Sequence, residues 1–108
     1  MHLFIIMTKA CANKEHLLLP VSSIKSGIYH DPSCELPVGC HGFIKAKSYV
    51  LHARAQRLKS ELLIKCVEGW VYTPKERLDD STFREVCAGV FASPHTPRWV
   101  NRYFADNN

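Results

Sequence analysis

Residues 80–105 change the period of the hydrophobic pattern, and that change constrains the fold more than any other feature of the chain. Asp80 or Ser81 can cap a helix in which Phe83, Val86, Cys87, Val90 and Phe91 recur at i, i+3, i+4, i+7 and i+8. That spacing gathers apolar side chains on one stripe of an α-helix. Ser93-Pro94 stops it, and a second short helix opens with Thr96 as cap and Pro97 at its first position, where the missing N–H of proline costs nothing. Trp99, Val100, Tyr103 and Phe104 are expected to face inward, and Arg98 and Arg102, one helical turn apart, to lie together on the outside.

Upstream the pattern belongs to strands. His2–Thr8 and His16–Ser22 are short and rich in Ile, Leu, Phe and Val, with the polar stretch Lys9–Glu15 between them; they read as neighbouring buried strands. From Ser23 to Gly42 the chain is punctuated by Gly27, Pro32, Pro37, Gly39 and Gly42 and reads as a long irregular excursion. Ser48–Ala53 has the composition of a third strand, with Tyr49 and Leu51 on one face and Val50 on the other. Leu62–Tyr72 is expected to hold two short strands around Glu68-Gly69, with Trp70 and Tyr72 sharing a face. Strands first and helices last predict an α+β fold, a small sheet or barrel carrying C-terminal helices. No linker or repeat divides the chain, so residues 1–108 form one domain, strand-rich over 1–73 and helical over 80–105.

Composition narrows the function classes. With 46% hydrophobic and 22% charged residues the chain can bury a core without a metal or a disulfide. No apolar run approaches the roughly 18 residues of a membrane span, and the first residues lack the basic and apolar blocks of a secretory leader, so a cytoplasmic protein is expected. The five cysteines are then thiols. A net charge of +4, with six histidines counted as neutral, admits a polyanionic partner without demanding one.

Several segments resemble the MazF/PemK toxin family. His16-Leu17-Leu18-Leu19-Pro20-Val21-Ser22-Ser23 is similar to the family strand that ends in a Pro-x-Thr/Ser-Thr/Ser element, and Ile44-Lys45-Ala46-Lys47-Ser48-Tyr49-Val50-Leu51 resembles its next strand. Gln56-Arg57-Leu58-Lys59-Ser60-Glu61-Leu62-Leu63 resembles the short basic stretch that follows, and Gly69-Trp70-Val71, Pro74 and the helix from Ser81 repeat the family's strand, turn and helix. The resemblance implies a small, strongly curved β-barrel or sheet with C-terminal helices, and a metal-independent endoribonuclease of a toxin-antitoxin or mobile-element system. It further implies a homodimer whose partners are RNA and an antitoxin; the alternative it leaves is a non-catalytic protein- or nucleic-acid-binding module. Two features depart from the family. Its usual first strand and loop have no counterpart before His2, and its Arg-Pro pair is replaced by His2-Leu3. Ser22 stands where the family carries a catalytic Thr or Ser.

Metal-free RNA cleavage needs a base for the 2′-OH, an acid for the leaving 5′-oxygen and a cation for the phosphate. His2 and His41 are the expected acid and base, with Ser22 or a nearby basic residue on the phosphate. Lys45, Lys47, Arg54, Arg57 and Lys59 are available to bind phosphate, and Tyr49, with Tyr29 and Phe43, to stack on bases. The same histidines also suit surface or turn positions, and the basic stretch Arg54, Arg57, Lys59 also suits a solvated face.

His30, Cys34, Cys40 and His41 supply the donor types of a structural zinc site, but their spacing matches no finger pattern. Cys34 or Cys40 beside His41 also admits a thiolate nucleophile, whereas Cys11, Cys66 and Cys87 lie in apolar contexts suited to inert thiols. No metal or cofactor is therefore assigned. Glu76, Asp79 and Asp80 favour the helix N-terminus they precede. Trp70, Trp99, Tyr103 and Phe104 are expected in the core, with a dimer or partner surface as the alternative for some of them.

Overall fold

The computed structural model describes residues 3–8, 14–69 and 78–107. The fold is α+β: strands β1 (Leu3–Ile6), β2 (Glu15–Ser23), β3 (Glu35–Leu36), β4 (Ser48–Val50) and β5 (Gln56–Lys59), then helices α1 (Ser60–Glu68), α2 (Asp80–Ala92) and α3 (Arg98–Asn107). Residues Trp70 and Tyr72, which the sequence places in a strand, lie outside the described residues, as does Cys11.

β2 is the axis of the five-stranded antiparallel sheet. Along one edge it pairs with β1, from Leu3↔Val21 to Ile6↔Leu18. Along the other its first half pairs with β5 (Glu15↔Lys59 to Leu18↔Gln56) and its end with β4 (Val21↔Val50 to Ser23↔Ser48). Pro20 falls where that second edge changes partner, between Leu18 and Val21. Its carbonyl accepts the Leu51 N–H at 2.9 Å, so its missing donor faces the same edge at the one point where no ladder bond is needed. β3 pairs outside β4.

Among the described residues the sheet is open: β1 and β3 end its path, and β5 pairs only with β2. This corrects the barrel expectation: edge strands of four and two residues are too short to wrap round and meet.

α2 and α3 cover one face. Leu17, Leu19, Val50, Val86, Val90, Val100 and Phe104 have no solvent exposure and form the centre of the core. The stripe read from the sequence is the one that packs, although its last member, Phe91, reaches the surface and rests its ring 5.7 Å from that of Phe104. The cap is Asp79, one residue before the expected position: its carboxylate accepts the Thr82 N–H at 3.0 Å and the Thr82 hydroxyl at 2.7 Å. α3, by contrast, starts one residue late, at Arg98, with the Pro97 carbonyl accepting from Val100 and Asn101.

Residues 60–68 form a helix where strands were expected. Leu62-Leu63-Ile64 fits either period, but Ser60-Glu61 begins a run of strong helix formers and Glu61 meets Lys65 one turn on at 3.6 Å. The third strand is also shorter than its composition suggests. After Val50 the ladder ends at Leu51, whose carbonyl accepts from Arg54 and turns His52–Arg54 into a 3-10 helix. Among the described residues no helix is long and apolar enough to cross a membrane.

Candidate functional site

At the C-terminal end of β2 the chain forms a cleft of about 310 Å³. Leu3 of β1, Val21 to Ser23 of β2, Lys25, the loop residues Phe43 to Ala46 and Ser48 of β4 line it. The chemistry of that lining is one-sided. Lys25 and Lys45 are exposed and make no ion pair among the described residues, serine hydroxyls and the Phe43 ring accompany them, and no Asp or Glu contributes. An anion entering the cleft meets cations and hydroxyl donors with no carboxylate to repel it.

Ser22 also belongs to a row that runs across the sheet. It is the register partner of Tyr49, and Tyr49 is the register partner of Glu35, so the three side chains share a face. Glu35 ties two further groups into the row: its Oε2 lies 2.7 Å from His30 Nε2 and its Oε1 3.3 Å from Lys47 Nζ. The His30 ring centroid is 5.2 Å from that of Tyr49. The hydrogen bonds from His30 and Lys47 hold the Glu35 carboxyl below the usual carboxylate range. With Nε2 donating to Glu35, a neutral His30 keeps Nδ1 as its basic nitrogen.

Of the expected catalytic residues that are described, Ser22 lines the cleft and His41 does not. Ser22 is half-buried. His41 sits in the loop outside the lining, and its Nδ1 accepts the Phe43 N–H at 3.0 Å, so that nitrogen is not available as a base. His2 lies outside the described residues.

The expected RNA-binding residues divide between two regions. Lys45 is in the cleft, Lys47 and Tyr49 in the adjoining row, while Arg57 and Lys59 lie on β5 and Arg54 ends the 3-10 helix before it. Sequence reading missed Lys25, which nothing but its position on the cleft wall marks out. It also missed the His30–Glu35 pair, which depends on β3 forming in an apparently irregular stretch.

The zinc and thiolate alternatives are not supported by the arrangement. His30 turns to Glu35, and among the described residues no three His, Cys, Asp or Glu side chains come together as metal ligands. Burial, then Glu85, Cys40 once ionised and Asp31, push the Cys34 thiol up to about 11; burial and Asp79 also raise Cys40. Both are protonated near neutral pH, the opposite of what a nucleophile needs. Burial likewise raises Cys87, whereas Cys66 is only half-buried on α1.

Behind the cleft loops lies a buried polar cluster that no local pattern announces. Asp31 accepts the Ser33 N–H at 3.0 Å and the Ser93 hydroxyl, and its Oδ2 is 3.8 Å from His52 Nδ1. His52 has 0% exposure, and neither ring nitrogen makes a hydrogen bond of ordinary geometry. This is not a nucleophilic triad, because the carboxylate and not the imidazole holds the serine.

Burial pushes the His52 pKa down despite Asp31. Burial pushes the Asp31 carboxyl up, but the hydrogen bonds from Ser93 and Ser33 outweigh it and the net direction is down. The unfolded chain therefore takes a proton on His52 more readily than the folded one, and the corresponding stability is present above about pH 6.5 and lost as pH falls below it. Urea titrations should show the stability difference between the native chain and His52→Gln shrinking from pH 7.5 to pH 5; a constant difference would contradict a neutral buried imidazole.

No protein-family model, curated protein or solved structure matches the chain.

Proposed function

We propose that the protein binds RNA, with a phosphodiester held in the cleft by Lys25, Lys45 and the Ser22 and Ser23 hydroxyls. The observation that carries this reading is the lining itself: cations, hydroxyls and one aromatic ring without a carboxylate. Such a set suits phosphate contacts together with stacking of a base on Phe43. The test is anisotropy of a labelled single-stranded RNA over a range of salt. Lys25→Gln/Lys45→Gln should weaken binding evenly across sequences and lower the slope of log affinity against log salt by about 1.4, two phosphate contacts at about 0.7 each. Binding by the variant with native affinity and native slope would overturn the reading.

The second reading, a metal-independent endoribonuclease of the MazF/PemK kind, is favoured by the His30–Glu35 pair in the row that holds Ser22 and Tyr49. In this reading His30 Nδ1 takes the 2′-OH proton as the 2′-oxygen attacks phosphorus, Glu35 holds the imidazolium, and Lys47 faces the phosphate charge. The bond to the 5′-oxygen breaks, leaving a 2′,3′-cyclic phosphate, and that oxygen takes its proton from water. Incubation of long RNA in EDTA should then give discrete fragments that disappear in Ser22→Ala and His30→Ala. RNA left intact by folded protein would remove this second reading and leave the binding module.

A further inference from the structure

We propose that a second face of the protein, built from Arg57, Trp99, Arg98 and Arg102, docks single-stranded RNA away from the cleft. The inference rests on the RNA-binding reading above and extends it to a site of different make-up.

The face follows from how α3 lies on the sheet. Val100 and Phe104 point into the core, and the Tyr103 hydroxyl donates to the Glu15 carbonyl at 3.0 Å, fixing the helix against the start of β2. That rotation leaves Trp99 and Tyr103 on the flank next to β5, and the Arg57 guanidinium lies 5.0 Å from the Trp99 ring and 5.8 Å from that of Tyr103. Trp99 is expected in the core by its periodicity, yet 40% of its surface is exposed. Advancing 100° per residue puts Arg98 and Arg102 on the other side of Trp99 from Arg57. Both are exposed, and neither forms an ion pair among the described residues.

A partly exposed indole with an arginine on one side and two on the other offers a ring face and cations together. Charge complementarity selects a polyanion, and the ring selects one with flat apolar faces to offer. A single strand provides both, whereas a duplex keeps its base faces stacked. Asp106, one turn beyond Arg102, lies on the same side of α3, and Glu15 lies opposite Lys59; among the described residues neither is ion-paired to these arginines. Arg57 is the register partner of Leu17, while the cleft takes Val21 to Ser23. The two regions are thus about 17 Å apart along β2, at roughly 3.4 Å per residue.

The experiment titrates the full chain into a labelled mixed-sequence single-stranded RNA, with the matching duplex and polyglutamate as competitors. Trp99→Ala should weaken binding about tenfold with an unchanged salt slope, as loss of one stacked base does. Trp99→Phe, which keeps a ring, should restore most of it. Arg98→Gln/Arg102→Gln, at exposed positions, should lower the slope by about 1.4 without moving the melting temperature. Native binding by these variants while Lys25→Gln/Lys45→Gln is weakened would overturn this face alone and leave the cleft standing. An absence of RNA binding by the native chain would overturn both. Displacement by polyglutamate as readily as by single-stranded RNA would assign the face to an acidic protein and likewise overturn the proposal.

Discussion

Asp31→Ala is expected to lower folding stability by about 3 kcal/mol, because it removes two hydrogen bonds to a buried carboxylate, each worth roughly 1.5–3 kcal/mol when one partner is charged. The side chain is buried, and its two oxygens serve different elements. Oδ1 caps the turn at Ser33, while Oδ2 accepts from Ser93 at the end of α2, 62 residues further along the chain. Without the carboxylate the Ser93 hydroxyl keeps its contact from the His95 N–H but has no acceptor. The His52 imidazole also loses the carboxylate 3.8 Å from its Nδ1, a smaller effect since burial already pushes its pKa down. For a domain whose whole stability is about 5–15 kcal/mol, this is a large fraction. It should appear as a fall in melting temperature of about 15 °C, at roughly 4–8 °C per kcal/mol.

Asp31→Asn, which keeps the shape and one acceptor oxygen, should cost about half as much. A loss below about 1 kcal/mol for Asp31→Ala would mean that the cluster does not hold the loop to α2. The same loop leads from Lys25 to Lys45, the two cations of the cleft, so Asp31→Ala should also weaken RNA binding in proportion to the loosening of that segment.

What could be read from the sequence was what depends on neighbours in the chain. β1 and β2 announced themselves by composition, and α2 by a stripe whose central members, Val86 and Val90, are the ones fully buried. The Asp31 turn is of the same local kind, an acceptor bonding two residues on. α1 was misread because an apolar run of three residues satisfies both periods, and only a missing strand partner decides between them. For Trp99 the sequence leaves core and partner surface both open, because its flank position on α3 is set by how the helix meets β5, which has no signature in the sequence.

The site was legible only where a residue type was itself unusual. Ser22 and Lys45, which line the cleft, stand out in the sequence, one through a family-like strand ending and one through its charge. His30 and Glu35, five residues apart, meet only because a two-residue strand forms on β4. The Asp31–His52–Ser93 cluster joins positions 21 and 41 residues apart, so no window on the sequence contains it.

Gly89 makes the strongest case for such non-local constraint, because local physics alone argues against it. It lies within α2, where glycine is less favourable than alanine by about 1 kcal/mol. Its place is held by the His52 ring: a Cβ at Gly89 would meet Cε1 and Nε2 at 2.9 Å and the Cys34 Cβ at 3.2 Å. The ring has no exposed side toward which to move, and displacing it breaks its approach to Asp31. Gly89→Ala should therefore destabilise the protein by about 1–2 kcal/mol, overpacking outweighing the helix gain, and Gly89→Leu by more than about 3 kcal/mol. With His52 shortened to Ala the space opens on that side, and the same Gly89→Ala change should become near neutral, since only the 3.2 Å approach to the Cys34 Cβ then opposes the helix gain. A urea double-mutant cycle measures this directly, with an expected coupling of about 1–2 kcal/mol between the two positions. If Gly89→Ala has the same effect on the native chain as on His52→Ala, the imidazole is not packed against α2, and the buried, neutral state assigned to it falls together with the pH dependence drawn from it.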